Sequence, residues 1–485
     1  MRAHYLMLAA LVALALPLGA GAQDNEPAPA SQPAAAPKPD HAPDPDGEPA
    51  PASQLAAAPK PDHAPSADEP VAAPTNRWAD EPFSPSIDSL QLVTDQAEPS
   101  MADGNRWGGH QCRVIRNRFG LFTAYTSTQT HASLFPREWH LMQQTGGGWT
   151  QIAHAPSGKE PVNLMSGPDG QIYIVAWPFK TPVLWEAAPD KQGQLPFSNG
   201  TLTMIDWPVP GNWDPWHWPY NSTAIDDQGR LLILQTTTVH KPGEFRMSLY
   251  DPAKRALLRT FAITMPLRHC YTYILPRGLE LWMASIQDVR IRADLGKQPT
   301  KALEKFAFNA VTVWHSDDYT ARDPQAILYK ESHYDEQDNP RADLRIQDAY
   351  LDTHGLLHVL YHYRSGETNH SGQMWHMVLD RSGKVLRDAR RPGMECYCRM
   401  IQDSRGRHYI LCSSGQGGAK IAAAIDEAGL EYTDFVPLDL GPYKVTYSGF
   451  AWADPRTGVG LSDSVDVVFP AGQGEQWVYF RLRLR

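Results

Sequence analysis

Short extended runs separated by tight turns recur along most of this chain. One copy, from Gln347 to Tyr363, reads QDAYLDTHGLLHVLYHY. Its glycine, Gly355, can supply the positive φ that a tight hairpin turn needs, and Asp352 can accept hydrogen bonds from the turn backbone. The following run, Leu356 to Tyr361, is aliphatic and aromatic, which is typical of a buried strand. The stretch therefore predicts a β-hairpin.

The same hairpin pattern occurs seven times. The turns are expected at Gly120, Gly170, Gly229, Gly278, Gly355, Gly406 and Gly458. Their spacing of about 50 to 60 residues, with one longer interval before Gly355, is typical of a solenoid, propeller or array. Because the repeats lack helical periodicity, we predict an all-β fold, a seven-bladed β-propeller of four-stranded antiparallel blades. The strand before each turn should lie innermost, and the last strand, Trp477 to Leu484, should close the ring beside N-terminal sequence.

The N-terminal region differs in composition from the rest of the chain. Arg2 precedes a short apolar run, Leu6 to Leu18, and Ala20-Gly21-Ala22 resembles a cleavage site, so residues 1–22 are interpreted as a secretory signal peptide. Residues 23–104 are rich in Pro and Ala, contain a tandem repeat and have few apolar residues, so we expect a disordered linker. The propeller is expected at residues 105–485. These features predict a secreted bacterial protein, periplasmic or extracellular.

The charge and the apolar runs exclude some classes of partner. The formal net charge is −10 at pH 7, which disfavours binding to nucleic acid and to anionic lipid surfaces. No run after the signal peptide is long and apolar enough to span a bilayer. We therefore expect a monomer that neither binds nucleic acid nor inserts into a membrane.

The chain contains five cysteines, so at least one thiol has no intrachain disulfide partner. Cys396 and Cys398 alternate along one predicted strand, and Cys412 follows the next turn of the same hairpin. Buried structural thiols, a disulfide and a metal trio all fit this arrangement, although no histidine stands at zinc-motif spacing.

Signals for metals and cofactors are weak. The acidic loop Asp335 to Asp343 (DEQDNPRAD) offers calcium ligands, but Pro340 stands where an EF-hand loop needs glycine. The sequence contains no nucleophile elbow, phosphate-binding glycine loop or HExxH motif. We therefore predict no cofactor, with a structural calcium ion at this loop as the alternative.

The residues that begin the innermost strands are the candidates for chemistry, because these strands converge at one mouth of a propeller channel. They are polar or aromatic in nearly every blade. The positions are Asn163, Tyr220-Asn221, His269–Tyr271, Gln347-Asp348, Tyr397–Arg399 and Tyr447-Ser448. Histidine can accept a proton near pH 7, tyrosine can donate one, and arginine can pair with a carboxylate. The alternative is that such residues only cap the sheets.

An aromatic loop precedes the third hairpin and runs from Asp206 to Asn221, with four prolines. Indole rings can stack on the apolar face of a sugar ring, whereas packing of the loop against its blade is the alternative. The expected substrate-binding residues are Trp213, Trp216, Trp218, Asn221 and His240.

The repeated D-x-x-G hairpins and the strand start at His269 to Tyr273 resemble the BNR-repeat, sialidase-like propeller proteins over roughly residues 106–485. The strict Asp-box is absent, since Ser166 and Asp169 have the wrong spacing. Within this fold, the chain is similar in organisation to secreted bacterial polysaccharide lyases of the ulvan-lyase type. That resemblance implies a polysaccharide substrate and β-elimination at a uronic acid by His/Tyr chemistry, with a side chain that neutralises the carboxylate.

For such a reaction we expect His269 to be the base, Tyr271 the acid and Arg399 the carboxylate-neutralising group. Tyr220 and His362 are the alternatives. All five are expected to converge at one mouth of the channel.

Two other functions remain open at this stage. A glycoside hydrolase on the same fold needs two carboxylates, for which Asp348, Asp214 and Glu395 are the loose candidates. A non-catalytic propeller that binds glycan or protein at the cell envelope is the third hypothesis.

Overall fold

The structure, a computed structural model, describes residues 76–98, 109–128, 137–158, 160–178, 181–205, 220–237, 241–296, 306–331, 342–365, 372–394, 397–413, 417–445 and 450–485. They belong to one compact unit, Pro74–Arg485. The predicted signal peptide, most of the predicted linker and the acidic loop around Pro340 lie outside the described residues.

Seven four-stranded antiparallel sheets make up this part of the chain, which confirms the predicted fold class. In chain order, the strands are β1 (Ser86–Thr94), β2 (Val114–Asn117), β3 (Gly120–Thr128), β4 (Arg137–Thr145), β5 (Gly148–Ser157), β6 (Asn163–Ser166), β7 (Ile172–Ala176), β8 (Val183–Ala187), β9 (Thr201–Met204), β10 (Asn221–Ile225), β11 (Leu231–Thr236), β12 (Gly243–Asp251), β13 (Ala256–Met265), β14 (His269–Arg277), β15 (Glu280–Arg290), β16 (Phe306–Ser316), β17 (Gln325–Glu331), β18 (Ala342–Leu351), β19 (Leu357–Ser365), β20 (Gly372–Leu379), β21 (Val385–Arg390), β22 (Cys398–Gln402), β23 (His408–Ser413), β24 (Ala419–Ala423), β25 (Val436–Leu438), β26 (Ala451–Trp452), β27 (Ser464–Ala471) and β28 (Gln476–Arg483).

Consecutive groups of four strands from β2 to β25 form blades 1 to 6, and blade 7 has the order β1-β28-β27-β26. A short helix, Ile291–Leu295, and two 3-10 turns, Phe197–Asn199 and Pro455–Thr457, complete the described elements. None of the described helices has the length and apolar character needed to cross a membrane.

The turn glycines and the innermost strands are as predicted. All seven glycines have positive φ, from 59° at Gly278 to 129° at Gly120, a region that L-residues with a Cβ rarely occupy. Contacts between first strands join β2 with β6, β6 with β10, β10 with β14, β14 with β18, β18 with β22, and β26 with β2. These strands therefore surround the axis of the ring.

The ring is closed by pairing between the two ends of the described chain. β28 pairs with β27 on one side and with β1 on the other, for example Leu90 opposite Phe480. The predicted closure beside N-terminal sequence is confirmed. The predicted linker boundary at residue 104 is wrong, because β1 belongs to blade 7 and Trp78 is buried. The strand SIDSLQLVT was not predicted because proline-rich sequence precedes it.

Large apolar side chains fill the space between neighbouring blades, and Trp139, Trp282, Trp314 and Trp477 are fully buried. Cys112, Cys270, Cys398 and Cys412 are buried and form no disulfide with one another, whereas Cys396 lies outside the described residues. Cys398 and Cys412 stand opposite each other in the β22–β23 pair. These four cysteines thus serve as small apolar groups in the core.

The first prediction concerns the ring closure. A chain that begins at Asn76 should keep the Tm of the complete protein, whereas a chain that begins at Asp95 lacks β1 and leaves the edge of β28 unpaired. We expect the shorter chain to lose roughly 5–10 °C or more in thermal unfolding. Equal Tm values for the two truncated chains would show that β1 does not hold the ring closed.

Candidate functional site

The inner strands begin at one end of the ring axis, which we call the strand-start end. The turn glycines lie at the opposite end, which we call the hairpin end. Three tyrosines at the strand-start end have backbone conformations that tyrosine seldom adopts. Tyr220, Tyr271 and Tyr397 have φ values of 37°, 54° and 65°. Each lies at the beginning of an inner strand, in blades 3, 4 and 6. Left-handed backbone at non-glycine residues is costly and tends to cluster at functional sites.

Tyr220 and Tyr271, two of the five residues expected to converge, contact each other directly. Their ring centroids are 4.7 Å apart. Burial raises the pKa of both phenols well above the ordinary value, and a hydrogen bond between the two hydroxyls adds to the rise at Tyr271. Tyr220 is buried, whereas Tyr271 is only partly buried. The pair is therefore protonated near neutral pH, and Tyr271 is the member that a ligand can reach.

A histidine that the sequence analysis did not select, His110, lies beside this pair. Its ring is 5.5 Å from that of Tyr271 and 6.2 Å from that of Tyr273. Its Nε2 is 3.0 Å from the carbonyl oxygen of Asn221, so Nε2 carries the proton and donates it. Its Nδ1 is buried and has no hydrogen-bond partner among the described residues. Burial and the nearby Arg456 lower the pKa of His110 to about 3, so the ring is neutral.

Further polar atoms around His110 lack partners within the described part of the chain. Asn163 donates to Asn221 Oδ1 over 3.2 Å, and Gln111 donates to Glu160 over 3.0 Å. These bonds leave Asn163 Oδ1, Asn221 Nδ2 and Gln111 Oε1 buried without a hydrogen bond. Because buried polar groups are nearly always paired in native proteins, such a concentration indicates a place where polar ligand atoms complete the network.

Arg399 lies close to this group but is fully engaged in structure. It is buried, and its guanidinium donates to the carbonyl oxygens of Phe450 at 2.8 Å, Cys398 at 3.1 Å and Gln347. A Cβ at Gly109 would lie within 2.1 Å of its Nη2, so the chain before His110 runs directly over it. Three carbonyl contacts leave Arg399 poorly placed to receive a substrate carboxylate.

His269 is separated from the group, which removes the expected base from the site. It is buried, and its Nε2 and Nδ1 lie 2.9 Å from Thr312 Oγ1 and 3.1 Å from the Leu267 carbonyl oxygen. Its ring packs edge-on against Phe245 of blade 3 and Trp314 of its own blade. Both nitrogens are thus occupied in a contact between blades.

An accessible patch continues from Tyr271. The ring of Phe308 is 5.7 Å from that of Tyr271, and the Arg345 guanidinium carbon is 4.9 Å from the centre of Phe308. Arg345 and Phe308 are both partly exposed. His362 stands opposite Arg345 in the β18–β19 register and is buried. The patch thus carries a cation and aromatic faces beside the tyrosine pair.

The other expected groups fall into two sets. Asp348 is buried and accepts hydrogen bonds from the backbone N–H groups of Met400 and Ala349, at 2.7 and 3.1 Å. It therefore cannot serve as an exposed hydrolase carboxylate. The predicted residues Trp213, Trp216, Trp218, His240, Asp214 and Glu395 lie outside the described residues.

A cavity of about 340 Å³ opens at the hairpin end. Its polar groups are largely paired within the protein. Arg277 donates to the Asp352 carbonyl oxygen at 2.5 Å, and Arg456 donates to Asp454 at 2.9 Å. Arg456 also donates to the His110 carbonyl oxygen, so it links this end to the group around His110. The unpaired atoms and strained tyrosines favour the strand-start end as the functional site.

Comparisons with known proteins concern the fold. No protein-family model matches the sequence, and no curated protein shows significant similarity to it. The solved structure of the polysaccharide lyase Uly1 is similar with a TM-score of 0.53 and 9% identity, over 82% of this chain and 99% of that chain. An oligogalacturonate lyase from Vibrio parahaemolyticus has a TM-score of 0.45 and 9% identity, over 82% and 96%. An alpha-L-arabinanase from Penicillium chrysogenum has a TM-score of 0.41 and 11% identity, over 66% of this chain and 92% of that chain.

At 9% identity, the similarity to Uly1 shows a shared fold alone. The BNR-repeat relationship expected from the sequence stays a prediction.

The second prediction concerns the pH dependence of stability. Burial raises the pKa of Asp348 from 3.8 to about 6. A carboxyl group whose pKa is raised in the folded state contributes to stability below pH 4. This contribution, about 3 kcal/mol, is lost as the pH rises through about 6. The Asp348→Asn side chain does not titrate, so this variant does not lose the contribution. The Tm of the variant minus that of the unsubstituted protein should therefore increase from pH 4 to pH 7. The surface variant Asp380→Asn is the control, and a pH-independent difference for Asp348→Asn would contradict the argument.

Proposed function

We propose that this protein is a carbohydrate-active enzyme that cleaves a polysaccharide containing uronic acid by β-elimination. The observation that carries the proposal is the group at the strand-start end, a neutral histidine with an unpaired nitrogen beside a protonated, partly exposed tyrosine. A fold shared with a polysaccharide lyase supports this choice. The earlier expectation that the protein is exported fits a large extracellular substrate.

The reaction needs three kinds of group, and the chain can supply each of them. A base removes the proton at C5 of the uronate, the electron pair forms the C4–C5 double bond, and the C4–O bond breaks. The leaving oxygen takes a proton from an acid. We assign His110 Nδ1 as the base and Tyr271 as the acid, in place of the His269–Tyr271 pair expected from the sequence.

The uronate carboxylate must be neutralised so that the C5 proton becomes acidic. We prefer Arg345 to Arg399 for this role, because the Arg345 guanidinium lies over the partly exposed Phe308, whereas that of Arg399 is buried and donates to three carbonyl oxygens. The aromatic face of Phe308 offers an apolar surface on which a sugar ring can stack. His362, opposite Arg345, is the alternative base.

The third prediction tests the reaction and the assignment together. The purified protein should release unsaturated, ultraviolet-absorbing products from at least one anionic polysaccharide. His110→Gln and Tyr271→Phe should each reduce turnover by about 10²–10⁴-fold, because general acid–base catalysis has this magnitude. The far-UV circular dichroism spectrum and Tm should report an intact fold. His154→Gln, a surface histidine paired with Glu138, is the matched control and should remain fully active.

The outcomes separate the hypotheses. New reducing ends without unsaturated products would favour a glycoside hydrolase, and tight glycan binding without either product would favour a binding propeller. Loss of activity in His362→Gln but not in His110→Gln would move the base to His362.

The fourth prediction concerns the pH profile of the cleavage. Since the pKa of His110 is lowered to about 3, its Nδ1 stays available as a proton acceptor throughout the range above pH 4. The raised pKa of Tyr271 keeps its proton in place up to at least about pH 10. We therefore expect kcat/KM to be nearly flat from pH 5 to pH 9. An acidic limb with an apparent pKa near 6.5, the value for an ordinary histidine, would contradict the assignment of His110.

A further inference from the structure

A second cluster of polar side chains lies away from the strand-start end, between blades 5 and 6. Asp352 occupies the turn between β18 and β19, His358 and His376 lie on β19 and β20, and His408 begins β23 of the next blade. All four are buried, with exposures of 0% or 1%. Asp352 Oδ2 faces the Nε2 atoms of His358 and His408, and His358 Nδ1 faces His376 Nε2.

We propose that Asp352, His358 and His408 bind a divalent transition-metal ion, most suitably Zn²⁺, which fastens blade 5 to blade 6. One carboxylate oxygen and two imidazole nitrogens form a ligand set that zinc accepts. The three ligand atoms, Asp352 Oδ2, His358 Nε2 and His408 Nε2, lie within 4.8 Å of one another.

The two distances from the Asp352 carboxylate to the histidine nitrogens fit a tetrahedral ion. Asp352 Oδ2 is 3.4 Å from His358 Nε2 and 3.3 Å from His408 Nε2. With metal–ligand bonds of about 2.0–2.1 Å, the edges of a tetrahedron are about 3.3–3.4 Å. The three protein ligands leave one tetrahedral position for a water molecule.

The hydrogen bonding of this cluster is incomplete within the described residues. The Nδ1 atoms of His376 and His408 are buried without a hydrogen bond to these residues. The Gln402 amide nitrogen lies 3.1 Å from His408 Nε2 but already donates to the Gly406 carbonyl oxygen at 2.8 Å and to Thr353 Oγ1 at 3.3 Å. The lone pair of His408 Nε2 can therefore bind a metal ion without leaving the Gln402 amide unpaired.

The surroundings hold the ligands in the orientation that a metal requires. Asp352 Oδ1 accepts the backbone N–H groups of His354 at 2.9 Å and Leu356 at 2.7 Å, which leaves Oδ2 directed at the histidines. His358 Nδ1 is 3.0 Å from His376 Nε2, so a metal-bound His358 can donate its remaining proton to His376. Hydrogen bonds of this kind fix the orientation of ligating histidines. Asp352 also lines the cavity at the hairpin end.

The experiment uses the full-length, tag-free protein. After dialysis, elemental analysis should find about one zinc ion per chain. Chelator-treated protein should bind Zn²⁺ in calorimetric titration, and Co²⁺ should give the intense visible absorption of a four-coordinate site. Added Zn²⁺ should raise the Tm of the stripped protein, since an ion that binds only the folded state stabilises it.

Variants then locate the site. His408→Gln and Asp352→Asn should lose the stoichiometric ion, and Asp352→Asn retains an oxygen for the turn hydrogen bonds. His376→Gln should weaken binding by about 10–100-fold, the range for groups that orient a ligand. His154→Gln, which replaces a surface histidine, should bind Zn²⁺ as tightly as the unsubstituted protein does.

Two results would overturn the proposal. The first is stripped, unsubstituted protein that binds neither Zn²⁺ nor Co²⁺, and this test does not depend on whether any variant folds. The second is equal binding in His408→Gln, which would place the ion elsewhere, for example at the histidines His41 and His63. Because the readouts are metal content and Tm, the proposal stands or falls separately from the lyase activity.

Discussion

The pairing of β1 with β28 is the contact on which the whole ring depends. Each blade packs only on its two neighbours, so an unclosed array would expose two apolar faces and the edge of one sheet. Closure joins sequence from the two ends of the described chain in one sheet. It also fixes where the seven inner strands meet. The approach of His110 to Tyr271, far apart in sequence, is a consequence of that closure.

The sequence predicted the features that depend on local physics. Seven turn glycines need positive φ, and the strands beside them are uniformly apolar, so period and blade count could be read directly. The boundary of the linker could not be predicted from the sequence, because β1 is an outer strand in which exposed and buried positions are mixed. Prolines also lie on both sides of this strand. The strand gains its stability from β28, a partner nearly 400 residues away.

The candidate site was harder to predict because it depends on the direction of side chains near a bulge. His269 and Tyr271 are two residues apart, so an ideal strand would direct both to the same side. The register of β14 with β15 shifts between Cys270 and Tyr273, where Tyr271 has φ of 54°. The bulge leaves His269 between blades and brings Tyr271 to Tyr220. His110 was missed for another reason, since the hairpin of blade 1 is a degenerate copy that, like that of blade 4, lacks the turn aspartate.

The contacts of Arg399 have a consequence for the way the ring loses its structure. A linear array of repeats can fray from its ends, one unit at a time. A closed ring has no terminal unit, and Arg399 of blade 6 binds carbonyl oxygens in the inner strand of blade 5 and immediately before that of blade 7. Opening blade 5 or blade 7 therefore removes one of the acceptors of this buried guanidinium. Because a buried charged group without its hydrogen bond is costly, we expect these blades to open together and local opening to occur in the outer strands.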